Sequence, residues 1–148
     1  MTAKRKGEKM NIYKKITELL PVIYPVFYTL QDNAQNEYVL LSTATSNMAP
    51  ILCPITDKTQ FEAFENHVHL FDNCRTSDDY NSARAIGTEI AKHLYTELKS
   101  HFPNKRFIVY FTLNRKEAIL RFHQIWKDEP VYYDETMQYD AEIISFHE

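Results

Sequence analysis

The stretch from Arg106 to Trp126 constrains the fold more than any other: RFIVYFTL, then NRK, then EAILRFHQIW. Phe107, Val109, Phe111 and Leu113 alternate with Ile108, Tyr110 and Thr112. A strand built this way is apolar on both faces, so it belongs inside a sheet that is covered on at least one side. The return arm alternates too. Ala118, Leu120, Phe122 and Trp126 fall on one face, and Ile119, Arg121, His123 and Ile125 on the other. A central hairpin of this kind needs strands beside it and a layer over it.

Residues 78–101 can supply that layer as a long helix. Thr76 or Ser77 is a suitable N-cap, Asp78 and Asp79 complement the positive end of the helix dipole, and Lys99 and His101 the negative end. Pro103 stops the helix. Ala83, Ile86, Ile90, Leu94 and Leu98 form one stripe at helical spacing, with Gly87 inside it. A mid-helix glycine costs about 1 kcal/mol against alanine, so its place in the stripe suggests a close approach to the sheet.

The remaining elements are shorter. Asn11 can cap a helix that runs to Leu20 and ends at Pro21. Residues 22–30 alternate as a strand, at an edge or bulged because Pro25 lacks an N–H. QDNAQN turns the chain into a return strand over 37–43, and 51–56 reads as a short third strand interrupted by Pro54. Residues 57–66 suit a short helix with Phe61 and Phe64 inward. Residues 67–71 are either a strand or more of that helix, and 141–147 a last strand. The fold class is α+β: a mainly antiparallel sheet of about five or six strands with a long helix packed on one face. The expected order is α-β-β-β-α-α-β-β-β, in a single domain over 10–148. Residues 1–9 (MTAKRKGEK) hold almost nothing to bury. They read as a flexible basic leader, a tag remnant or an upstream start, since Met10 opens a helix equally well.

Composition narrows the function. Two glycines in 148 residues leave little material for a phosphate-cradling loop, so common nucleotide chemistry is not expected, and no cofactor is. The net charge of −3 does not advertise nucleic-acid binding. Its distribution is uneven: residues 1–20 carry +4 and residues 127–148 carry −6. No apolar run is long enough to span a bilayer, and the start lacks the pattern of a signal peptide. Cys53 and Cys74 form no C-x-x-C and suit a reducing compartment, although they are compatible with one disulfide. The expected location is the cytoplasm.

Several constellations could carry chemistry. Arg121 and His123 share a strand face with Tyr110 as a cross-strand neighbour, and with a nearby carboxylate could serve a small hydrolase or nuclease. As bystanders they would be an ordinary ion-paired face. His67 and His69 would share a face if extended, but no recognised metal spacing is matched and no metal is expected. No nucleophile-elbow or zinc-protease motif is present. The segment after the hairpin differs. Trp126, Tyr132, Tyr133 and Tyr139 interleave with Asp128, Glu129, Asp134, Glu135 and Asp140. Trp and Tyr carry interface hot spots, and exposed carboxylates steer a basic partner. Trp126, Asp128, Glu129, Tyr132, Tyr133, Asp134 and Glu135 are therefore candidate partner-binding residues; as core, the aromatics would have no such role.

In overall size, α+β order and the stretch RFIVYFTLNRKEAILRFHQIWKDEPVYYDE, the chain resembles the small acidic immunity proteins that bacteria use against secreted toxins, including those of contact-dependent inhibition. The resemblance implies a protein-binding function, neutralising a cytotoxic effector such as a nuclease; the acidic segment points to a basic toxin domain as the partner, and an enzyme is the less expected reading.

Overall fold

A computed structural model describes residues 12–42 and 55–148. The basic leader, Asn11 and Cys53 lie outside the described residues. The order is α1 (Ile12–Ile23), β1 (Phe27–Gln31), β2 (Glu37–Leu41), α2 (Lys58–Glu65), β3 (His67–Asp72), α3 (Ser77–His101), β4 (Phe107–Leu113), β5 (Glu117–Gln124) and β6 (Glu142–Phe146). The class is α+β and every strand pairing is antiparallel. The six strands are divided between a β1–β2 hairpin and a four-stranded sheet of order β3-β5-β4-β6.

The central hairpin lies where its alternation requires. β4 is buried along its whole length, paired with β5 on one side and β6 on the other. Phe107, Val109, Phe111 and Leu113 face α3 together with Ala118, Leu120 and Phe122 of β5, and these residues form the core. α3 is capped by the Thr76 side chain, which accepts from the Asp79 N–H. Its buried stripe is Ala83, Gly87, Ile90, Ala91, Leu94 and Leu98. Ile86, expected inward, is 49% exposed. The stripe turns about Gly87 because that glycine lies against the Phe111 ring: a methyl group added there would overlap the ring atoms.

Other boundaries differ from the expectation, each for a local reason. α1 continues through Pro21 to Ile23. Tyr24 N–H donates to Leu20 O beyond the proline, and Val22 is fully buried, so packing retains the last turn. β1 accordingly starts at Phe27, after Pro25. Its turn into β2 is organised by Asp32, which accepts hydrogen bonds from Ala34, Asn36 and Tyr38. The side-chain bonds from Asn36 and Tyr38 hold its carboxyl at about 2. Ile55 and Thr56 belong to no strand, and the rest of the expected third strand lies outside the described residues. The 57–66 helix is present with Asp57 as its cap, but Phe64 is 58% exposed. Thr59, Glu62, Ala63 and Asn66 point inward instead. Residues 67–72 form a strand, bulged between His69 and Phe71.

Candidate functional site

α3 covers one face of the four-stranded sheet. Register places Arg121 opposite Tyr110 on β4 and His67 on β3, with Ile119 opposite Thr112 and His69. Arg121 and His123 do share the second face with Tyr110, as the alternation implies. The segment after β5 folds back over this face, and three anchors fix it.

The first anchor is Trp126. Alternation sets it on the face of Ala118, Leu120 and Phe122, but β5 ends at Gln124 and the indole turns aside to pack against Tyr38, 5.5 Å between ring centroids. Its N–H donates to Glu62, and Glu62 is the unexpected centre of this region. The Glu62 carboxylate is fully buried and accepts four bonds, from Val39 N–H (2.9 Å), Gln124 N–H (2.7 Å), Gln124 Nε2 (2.6 Å) and Trp126 Nε1 (3.1 Å). One helical turn on, Asn66 accepts from Leu41 N–H and donates to Val39 O and Phe122 O. Glu62 of α2 and Asn66 at its C-cap thus bond both to β2 and to the end of β5 that β3 does not reach. Burial pushes the Glu62 carboxyl up to about 7, against the hydrogen bonds from Gln124, Val39 and Trp126. Sequence periodicity gives no sign of this role, since Thr59, Glu62 and Asn66 look like a solvated helix face.

The second anchor is Glu129. Its carboxylate accepts from the N–H groups of Lys58 (3.0 Å) and Thr59 (2.7 Å), closing the start of α2. Burial works to raise this carboxyl, but the donors of Thr59 and Lys58 outweigh it and hold it below the ordinary range. Glu129 therefore supports the fold. Glu129→Ala is expected to cost about 1–2 kcal/mol, the scale of a lost helix cap. Urea denaturation checks this, and an unchanged midpoint would remove Glu129 from the scaffold. Asp128 next to it is exposed and bonded to Lys58 Nζ at 2.9 Å, which holds its carboxyl low.

The third anchor is His123. It is fully buried, its Nε2 accepts from Tyr132 N–H (3.2 Å), and its Nδ1 lies 2.7 Å from Gln124 O. Those contacts define a neutral ring protonated on Nδ1, and burial lowers its pKa further. Both nitrogens are engaged within the chain, so none is left to abstract a substrate proton. Arg121 lies beneath the Tyr132 and Tyr133 rings, 4.8 and 5.9 Å from their centroids. Tyr110, Tyr133 and Tyr139 follow edge to face. Tyr132 and Tyr133 are half-buried, with their rings directed at the sheet.

The side chains exposed on this segment include Asp134, Glu135, Met137, Tyr139 and Asp140, with Val131 nearby. Asp134 makes a local turn, accepting from Thr136 N–H (2.8 Å) and Thr136 Oγ1 (2.6 Å), while its own N–H donates to Tyr139 OH. Among the described residues no Lys or Arg lies within ion-pair distance of Asp134, Glu135 or Asp140. The candidate partner-binding residues thus separate: Asp134 and Glu135 face solvent, Asp128 is paired, and Trp126, Glu129, Tyr132 and Tyr133 hold the segment down. On β3, His67 and His69 do share a face, their ring centroids 5.7 Å apart. Among the described residues no three His, Cys, Asp or Glu side chains converge as metal ligands.

The model of a family described as the Uncharacterized protein PM0498 family matches residues 29–148. The chain belongs to that family. The matched span of this PM0498-family chain runs from β1 to the C-terminus and includes the Glu62 centre, all three anchors and the acidic segment. No curated protein and no solved structure matches the chain. No helix among the described residues is long and apolar enough to cross a membrane.

Proposed function

We propose that the chain is a protein-binding module that meets a basic partner through the segment 127–141. The observation that carries this is a segment without regular secondary structure, fixed at Trp126, Glu129 and Tyr132, whose exposed Asp134, Glu135 and Asp140 surround Met137 and Tyr139. Burying carboxylates against their own cations would serve stability; three that meet no Lys or Arg among the described residues serve recognition. A pre-ordered segment avoids part of the entropy cost of binding, and methionine adapts its shape to a partner. Within this class, the resemblance to immunity proteins favours neutralisation of a cytotoxic effector such as a nuclease. A cytoplasmic location fits two thiols, one of them the buried Cys74.

Surface-based kinetics against a basic toxin domain encoded beside this gene provide the test. Raising the salt should slow association, because steering by exposed charge is screened over about 8 Å at physiological ionic strength. Asp134→Asn with Glu135→Gln should lower the association rate several-fold at low salt and leave dissociation nearly unchanged. Met137→Ala should mainly speed dissociation. Rates indifferent to salt and to both changes would take this segment out of the interface.

A further inference from the structure

Between the folded-back segment and the sheet lies a cavity of about 240 Å³. Ile119, Thr112 and Ile143 line it as register neighbours on β5, β4 and β6. Arg121 and Glu117 also line it, two residues to either side of Ile119 on β5, so their backbones stand about 13 Å apart along the strand. Tyr133 lies at the Arg121 end through its ring contact, and Asp140 at the Glu117 end, where Asn114 Nδ2 holds the Asp140 carbonyl. The lining is therefore bipolar, cationic at one end and anionic at the other.

Among the described residues the cationic end has no carboxylate partner and the anionic end no Lys or Arg partner. Among the described residues no carboxylate lies within ion-pair distance of Arg121. Its guanidinium makes one hydrogen bond, from Nη1 to Ala63 O at 3.3 Å, and its buried Nε has no acceptor. A guanidinium that lines a cavity with no carboxylate beside it calls for an anion. At the other end, neither Glu117 nor Asp140 has a Lys or Arg within ion-pair distance among the described residues, and the nearest basic group is His69, whose Nδ1 lies 3.8 Å from the Glu117 carboxylate.

We propose that this cavity binds a small extended zwitterion of the ω-amino carboxylate class. Its carboxylate takes the Arg121 guanidinium, its ammonium sits with Glu117 and Asp140, and its methylene chain lies over Ile119 and Ile143 beside the Tyr133 and Tyr139 rings. The cavity shares Tyr139 and Asp140 with the exposed segment but does not involve Asp134, Glu135 and Met137, on which the test of partner binding rests.

Calorimetric titration of the full chain with 6-aminohexanoate tests the idea, with hexanoate and hexylammonium as single-charge controls. One saturable site is expected, with each control binding at least tenfold more weakly. Arg121→Met should abolish binding. Because that change could disturb the sheet, Glu117→Gln with Asp140→Asn is the second variant; both positions are at the rim. It should bind 6-aminohexanoate no better than hexanoate. No saturation at millimolar 6-aminohexanoate, as for a cavity that holds only water, overturns the proposal. So does hexanoate binding as tightly as the zwitterion, or Arg121→Met binding unchanged.

Discussion

Gly87→Ala is expected to lower stability by about 1–3 kcal/mol, although alanine is the better helix former by about 1 kcal/mol. The added methyl group would overlap the Phe111 ring, which is fully buried between Leu120 of β5 and Ile144 of β6. Neither helix nor ring can retreat without moving the core. Gly87→Leu should be worse. Gly87→Ala combined with Phe111→Leu should be less destabilised than the two single changes added together, because the smaller side chain vacates the contact. Thermal and urea denaturation of the three variants measures this. A Gly87→Ala protein as stable as the parent would mean that helix and sheet are not in contact there.

Glu62→Leu should be the most damaging single change, costing about 4 kcal/mol or more and so a large part of the stability of a domain this size. It orphans four donors at once: the N–H groups of Val39 and Gln124, and the side chains of Gln124 and Trp126. Glu62→Gln keeps one acceptor oxygen and should cost less. The parent and the glutamine variant should also differ in pH dependence. The Glu62 carboxyl stands at about 7 in the fold, above its ordinary 4.5, so the folded state holds this proton more tightly. Its contribution is fully present below about pH 4.5 and lost as pH rises through 7, a span of about 3 kcal/mol at 1.36 kcal/mol per pH unit. Glu62→Gln should lose that slope. Trp126, the only tryptophan, bonds to this carboxylate, so its fluorescence should titrate near pH 7 in the parent alone. A flat fluorescence profile would show a carboxylate ionised throughout, held so by its four donors.

The parts of the fold legible in the sequence are those in which apolar side chains set the period. α3 and the β4–β5 hairpin follow from Leu94, Leu98, Phe107 and Phe111 repeating at the spacing of their elements, and Gly87 marked the close approach. α2 was legible as a helix but not in its orientation. Its inward face is Thr59, Glu62, Ala63 and Asn66, of which Glu62 and Asn66 are buried because backbone donors wait for them, whereas Phe64 is left in solvent. Pro21 has the same lesson: a local helix breaker yields where Val22 is buried beside it. Of the candidate site, alternation correctly placed Arg121 and His123 on one face with Tyr110. It could not show that Tyr132 would engage the histidine, or that Glu129 would close a helix some seventy residues earlier. Those contacts join segments whose separation no local pattern encodes.

The paired use of Glu62 and Asn66 has a consequence for the β1–β2 hairpin. A strand edge with free N–H and C=O groups invites pairing with another chain. On β2 the groups of Val39 and Leu41 that turn away from β1 are occupied by two side chains one helical turn apart, so a helix takes the place of a neighbouring strand. Melting α2 would therefore do more than release eight residues. It would uncover a row of pairing-competent backbone on Tyr38–Leu41, which is among the most apolar stretches of the chain. This short helix guards the hairpin against self-association, and the exchange of the Val39 and Leu41 amides with solvent will follow the opening of α2.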